Sequence, residues 1–403
     1  MVTSTGADGT VIGHFDIERA RRETPGVHSV IHLNNAGSAL PPAPVLDAVI
    51  DHLRLESALG GYEAADTARD AVEHTYDAVA ALLGCHRDEI AVVENATRAW
   101  DMAFYAMRFQ PGDRILTARA EYASNVIAFL QVARRTGAVV EVIPDDEFGQ
   151  VSVSALEHML DERVRLVAIT HVPTQGGLVN PAAAIGTVTR AAGVPYLLDA
   201  CQSVGQLPVR VDEIGCDMLS ATGRKFLRGP RATGFLYVRR GFVEHLEPPF
   251  LDLHAAEWTA PDRYEIRADA RRFENWETNY ATKIGLGVAV DYALGWGLEA
   301  IRHRTSTLAE SLRERLADVP GVAVHDQGAQ RCAIVTFTKH GVPALDISDR
   351  LREVGINTSV TSIDSARFDF EARGLTDVVR VSPHYYNTHD ELDRLCTVVE
   401  RLP

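Results

Sequence analysis

Cysteine is scarce in this chain: five residues among 403, at positions 85, 201, 216, 332 and 396, with no C-x-x-C pair. An odd, scattered set excludes a disulfide framework and a cysteine-based zinc site. Fifteen histidines include no H-E-x-x-H arrangement, so metal catalysis has no motif and no metal is expected. Positive charge is short as well. Forty Lys and Arg against 55 Asp and Glu leave a net charge of −15, which argues against a nucleic acid or an anionic membrane as partner. No apolar run is long enough to span a bilayer, and residues 1–20 lack the apolar core of a signal peptide. A soluble, cytoplasmic protein is expected. Glycine-rich nucleotide loops are also missing: Gly285-Leu286-Gly287 lacks the dinucleotide spacing, and there is no Walker loop.

What is present is enough apolar residue, 46% of the chain, to bury a large core in two domains. Short β-branched runs at 90–93, 114–117, 139–143, 166–170, 196–198, 218–220 and 235–238 alternate with helix-length stretches such as 125–135 and 181–192. That alternation predicts βαβ units on a mainly parallel seven-stranded sheet, the α/β class, with ligands at the carboxyl ends of the strands. Helices are predicted over 44–59, 66–83 and 99–107, a loop beyond Gly241, and a long helical run from Ala281. A smaller α+β region follows, with strands near 333–337 and 378–382 and helices near 344–354 and 389–401. The division expected is an N-terminal segment 1–40 against the small domain, a large domain 41–280 and a small domain 281–403.

Chemistry concentrates where the strands end. Lys225, in Ser220-Ala221-Thr222-Gly223-Arg224-Lys225, lies 26 residues after Asp199, which closes a strand-like run. A pyridoxal phosphate (PLP) enzyme needs such a pair: an amine to condense with the cofactor aldehyde, and a carboxylate to keep the ring nitrogen protonated. Alone, Lys225 reads as a solvated lysine and Asp199 as a helix cap. Asn95-Ala96-Thr97-Arg98 opens a helix after a strand, a phosphate seat or an ordinary N-cap. Tyr122 in Glu121-Tyr122-Ala123-Ser124-Asn125 offers an aromatic face for the ring, or packs. Gln202, three residues after Asp199, is placed to donate to the cofactor's phenolic oxygen, and Thr222 and Arg224 to contact its phosphate with Thr97. Arg224 also reads as a surface cation.

With these segments stand His32-Leu33-Asn34-Asn35-Ala36-Gly37, His171-Val172-Pro173-Thr174-Gln175-Gly176-Gly177 and Arg380-Val381-Ser382-Pro383-His384-Tyr385-Tyr386-Asn387-Thr388. In this order the chain resembles the class V aminotransferase family of fold-type-I PLP enzymes, which includes cysteine desulfurases, cysteine C–S lyases and isopenicillin N epimerase-like proteins. The resemblance implies PLP bound through Lys225, with Asp199 at the ring nitrogen, Gln202 at the phenolic oxygen and Tyr122 on the ring. It implies further cofactor contacts from Ala96, Thr97, Thr174, Thr222 and Arg224. It places Asn35 and Arg380 at an amino-acid substrate, Arg380 at the α-carboxylate. It also implies a homodimer in which Thr278 of Trp276-Glu277-Thr278-Asn279 reaches the partner's cofactor phosphate.

One departure sets the expected reaction. Persulfide-forming desulfurases carry a nucleophilic cysteine on the loop before the carboxylate-binding arginine, and residues 357–379 hold none. The expectation is therefore a C–S lyase acting on an S-substituted cysteine conjugate by β-elimination to thiol, pyruvate and ammonia. An aminotransferase, a decarboxylative or oxidative deaminase, and an epimerase are the rivals.

Overall fold

Runs that are apolar at successive residues give strands with two apolar faces, and such strands are stable only in a sheet covered on both sides. The computed structural model describes residues 15–403 and, before them, the backbone of a hairpin pairing Ser4–Thr5 with Val11–Ile12. The rest of the first fourteen residues of the expected 1–40 segment lies outside the described residues. The large sheet contains β1 (Ile90–Val93), β2 (Arg114–Thr117), β3 (Val139–Val142), β4 (Val164–Thr170), β5 (Tyr196–Asp199), β6 (Met218–Thr222) and β7 (Gly234–Val238). Their order is β1-β7-β6-β5-β4-β2-β3. Strands β2 to β6 pair in parallel, and β7 runs antiparallel between β1 and β6. The fold is α/β, as the alternation predicts.

Residue parity separates the two faces. Val92, Val167, Leu198 and Leu219 enter one core, with Val79 and Leu83 of helix Arg69–Leu83 and Leu286 and Val290 of helix Tyr280–Trp296. Ala91, Leu166, Leu197 and Met218 enter the other, with Phe104 of helix Ala96–Phe104 and Phe129 of helix Ala123–Thr136. Strand ends Val93, Thr117, Thr170, Asp199 and Thr222 consequently share one edge of the sheet. The turn from β1 into its helix closes against β7 because Gly234 has no side chain. A Cβ there would stand 2.6 Å from the Asn95 carbonyl carbon.

The second unit is a four-stranded antiparallel sheet of β8 (Val322–Val324), β9 (Val335–Lys339), β10 (Ser359–Ser362) and β11 (Asp377–Val381), in the order β8-β9-β11-β10. Its core takes Leu308 and Leu312 of helix Leu298–Ala317, Leu351 of helix Ala344–Glu353 and Leu395 of helix His389–Glu400. Ile31–His32 pairs in parallel with Ile356–Asn357, and Ile31 and Leu33 join this core.

Three segments assigned from sequence fold differently. The helical run from Ala281 is two helices, bent by 79° at Gly297, where φ is +82°. The predicted 66–83 helix is likewise two, Gly61–Thr67 and Arg69–Leu83. The stretch beyond Gly241, read as loop, contains an antiparallel hairpin of Ala256–Ala260 with Arg263–Ile266. Its residues are mostly exposed on both faces, so no apolar alternation marks it. Among the described residues no single helix is long and apolar enough to cross a membrane.

Candidate active site

The shared strand edge opens into a cavity of 340 Å³ whose lining includes Ala96, Thr97, Tyr122, Thr174, Asp199, Gln202, Thr222, Arg224 and Lys225. Residues from five separate segments are thus brought to one place. Asp199 is 6% exposed; its Oδ1 accepts the Cys201 N–H at 2.9 Å and its Oδ2 the Asn125 amide at 3.0 Å. Burial pushes the Lys225 ammonium down to about 8. The guanidiniums of Arg224 and Arg380 act in the same direction, while Cys201 and Asp199 oppose it. A neutral amine near neutral pH is the form that condenses with an aldehyde.

Asn95 takes the N-cap role. Its Oδ1 caps the helix by accepting the Arg98 N–H at 2.9 Å, and the preceding amides of Ala96 and Thr97 have no partner inside the helix. Both residues line the cavity, so these amides, at the positive end of the helix dipole, are suited to an anionic group. Thr222 lines the wall with its hydroxyl donated to the Thr233 carbonyl at 3.1 Å. The Arg224 guanidinium donates to the Gly37 carbonyl. Tyr122 stands at the start of helix Ala123–Thr136 with 39% of its surface exposed into the opening.

Gln202 donates from Nε2 to the Ala36 carbonyl at 3.0 Å and to the Thr174 hydroxyl at 3.4 Å, while its Oε1 is buried without a partner. Arg380, on β11, reaches the same place from the second unit. Its guanidinium donates to the Thr174 hydroxyl and carbonyl and to Asn34 Oδ1 at 3.3 Å, and its Nε is buried and unpartnered. All of these acceptors are neutral. Burial, reinforced by Arg224, lowers its pKa to about 10. A buried guanidinium held by neutral groups is suited to an anionic ligand.

Three expected site residues are outside the cavity's lining; Arg380 meets it through Thr174, and two others lie elsewhere. Asn35, expected at the substrate, is fully buried behind it. Its amide donates to the carbonyls of Ser382 at 2.7 Å and His32 at 3.3 Å, and its Oδ1 accepts the Tyr386 hydroxyl. Both ends are consumed, and Asn34 is the neighbour that faces Arg380. Thr278 lines a separate surface groove with Gly61, Tyr62 and Trp276. Sequence reasoning passed over Asn125 and Glu121, which lie behind Asp199; their four-residue spacing on either side of a helix start was the available signal.

These groups fit PLP. An amine, a carboxylate, helix-start amides and an aromatic face surround one cavity, the buried Gln202 Oε1 of its lining is unpartnered, and Arg380 adjoins that lining through Thr174. A family model described as Aminotransferase class-V matches residues 31–395. A probable cysteine desulfurase from Xylella fastidiosa (strain 9a5c) is 31% identical over 392 residues, 94% of each chain. The apo cysteine desulfurase of Thermococcus onnurineus NA1 superposes with a TM-score of 0.88 at 26% identity, covering 95% of this chain and 97% of that one. A cystine C–S lyase, solved with its product cysteine persulfide, shares the fold at a TM-score of 0.85 and 22% identity, covering 94% and 99%. The chain belongs to the class-V aminotransferase family, with pyridoxal phosphate as its cofactor.

Proposed function

We propose that this protein is a PLP-dependent C–S lyase that cleaves an S-substituted cysteine by β-elimination to a thiol, pyruvate and ammonia. The observation that carries this reading concerns thiols. Cys201 is the one cysteine lining the cavity among the described residues. Burial and the adjacent Asp199 hold its pKa well above the ordinary thiol value, so it stays protonated and unreactive. Cys332 is buried in the second core, and residues 357–379 contain no cysteine. Elimination needs no protein thiol to take up sulfur. The desulfurases named among the relatives point to the same amino-acid skeleton.

When bound, PLP supplies an aldehyde for the substrate amine and a ring that withdraws electrons from Cα. Asp199 holds a negative charge toward the ring nitrogen. Lys225, its ammonium lowered to about 8, takes the Cα proton at Nζ in its free-amine form. Arg380 pairs its planar fork with the α-carboxylate, and the amides of Ala96 and Thr97, with Thr222 and Arg224, seat the phosphate. Thr174 lies between Gln202 and Arg380 and ties the cofactor side of the cavity to the substrate side.

The same reading makes the protein a homodimer in which Thr278 serves the partner's cofactor phosphate. Supporting it, Thr278 points away from its own cavity, and beside it Tyr62 and Trp276 leave 73% and 50% of their surfaces exposed, an apolar patch of the kind a partner covers. Mass spectrometry of products from a panel of cysteine S-conjugates tests the reaction. Thiol with pyruvate is expected. A keto acid that keeps the carbon–sulfur bond, or deuterium at Cα of unconsumed substrate, would instead establish transamination or epimerisation.

A further inference from the structure

Behind Asp199 lies a second carboxylate that the proposed reaction does not use. Glu121 is 2% exposed, on the turn after β2, and five donors converge on it. Oε1 accepts the Tyr122 backbone N–H at 3.0 Å, the Asn125 amide at 2.8 Å and the Thr170 hydroxyl. Oε2 accepts the Thr170 backbone N–H at 3.0 Å and the Thr117 hydroxyl at 3.1 Å. Three of the five are N–H groups, which only donate, so the cage matches the acceptor-only, ionised carboxylate. Its titratable neighbours are Asp199 and Tyr196, whose hydroxyl is buried without a partner; neither is a cation. Burial opposes the cage and pushes the carboxyl up to about 7, with Asp199 adding to the push.

The informative contact is the Asn125 amide. Its nitrogen has two hydrogens and lies 2.8 Å from Glu121 Oε1 and 3.0 Å from Asp199 Oδ2, one N–H for each carboxylate. Glu121 thereby fixes the amide, and the amide fixes Asp199 Oδ2, while the Cys201 N–H holds Oδ1. Glu121 also takes the backbone N–H of Tyr122, the residue proposed to cover the ring. We propose that Glu121 is a positioning residue that orients Asp199 through Asn125 and, by its own negative charge, strengthens protonation of the bound cofactor's ring nitrogen. This rests on Asp199 being the ring-nitrogen partner. A second negative charge near the first favours the proton by about one pH unit at an interior-like effective dielectric.

The test is nuclear magnetic resonance of holoenzyme reconstituted with PLP isotopically labelled at the ring nitrogen, whose chemical shift reports protonation directly as pH is raised. Glu121→Gln should deprotonate at a pH lower by about one unit than wild type, and Asn125→Ala, which keeps the charge but cuts the link, should shift in the same direction by less. Asp199→Ala should deprotonate lowest of all. If Asp199→Ala shifts and Glu121→Gln does not, the role given to Glu121 is overturned while the site reading stands. If Asp199→Ala does not shift, the site reading itself falls. Should Glu121→Gln fail to fold, Asn125→Ala decides: a wild-type titration there overturns the link.

Discussion

In the proposed reaction Lys225 carries the chemistry, and its expected behaviour is specific. Lys225→Ala should lose the visible absorbance of lysine-bound cofactor and all turnover while its far-ultraviolet circular dichroism stays that of the wild type; residual turnover would move the reaction elsewhere. With its ammonium lowered to about 8, the reactive amine fraction rises about tenfold per pH unit below that value. Capture of PLP by the apoprotein should therefore quicken about tenfold from pH 6 to pH 7 and level off above pH 8, followed by stopped-flow absorbance. The same shift has a sign for stability. A lysine whose folded pKa lies below its unfolded value burdens the fold at low pH, and that burden lifts as pH rises through the window from about 8 to about 10.4. Apo Lys225→Met should accordingly melt above wild type at pH 7. Arg380→Ala should lower kcat/KM for α-amino acids on the order of 100-fold, with the cofactor spectrum kept, because its acceptors in this structure are neutral side-chain and backbone groups. These residues were legible because their chemistry demands particular side chains in a particular order. Asn35 was misplaced for a local reason: successive side chains of an extended segment point opposite ways, and a motif containing Asn34-Asn35 does not say which one faces the ligand.

At the scale of elements, the proposed phosphate seat follows a β1 turn that approaches β7 closely at Gly234. Asn95→Ala removes the cap from helix Ala96–Phe104 and should cost about 1 kcal/mol, while Gly234→Ala forces a methyl to within 2.6 Å of backbone and should cost about 1–3 kcal/mol. Urea midpoints of the apoproteins measure both. If the turn positions the seat, both variants also bind PLP more weakly, and equilibrium dialysis that finds unchanged affinity would separate the turn from cofactor binding. All seven sheet strands were legible from sequence: most are buried on both faces and read as apolar runs, and the partly exposed edge strand β3 still shows three valines in four residues. The hairpin Ala256–Ala260 with Arg263–Ile266 was not, because its Trp258 and Tyr264 face water and nothing in its pattern marks an inner side. The same limit hid β8, whose Val322 to Val324 are only partly covered. The bend at Gly297 was invisible for a different reason. Helix-length apolar sequence continues through it, Tyr280–Trp296 being apolar over most of its surface, and the two helices pack on different cores, Leu286 and Val290 on one and Leu308 and Leu312 on the other.

At the scale of the whole molecule, the proposed homodimer gives Thr278 to the partner's cofactor, and pairing two damaged protomers tests it. Thr278→Ala and Lys225→Ala should each be poorly active or inactive alone. In a heterodimer of the two, the Thr278→Ala protomer contributes an intact Lys225 and the Lys225→Ala protomer an intact Thr278. If Thr278 reaches across a two-fold interface, these meet in one complete site. Random exchange of equal amounts then makes half of the dimers mixed, each with one complete site of two, so activity should return to about a quarter of wild type. If Thr278 acts within its own chain, no site in the mixture has both residues and nothing returns. The same experiment bears on the exposed Tyr62 and Trp276 beside Thr278. Tyr62→Glu in both protomers places a charge on the proposed contact face, and it should lower both the dimer fraction in analytical ultracentrifugation and the recovered activity. A dimer that survives the charge intact, together with failed complementation, would place the subunit contact on another face and leave Thr278 without a role in the partner's site.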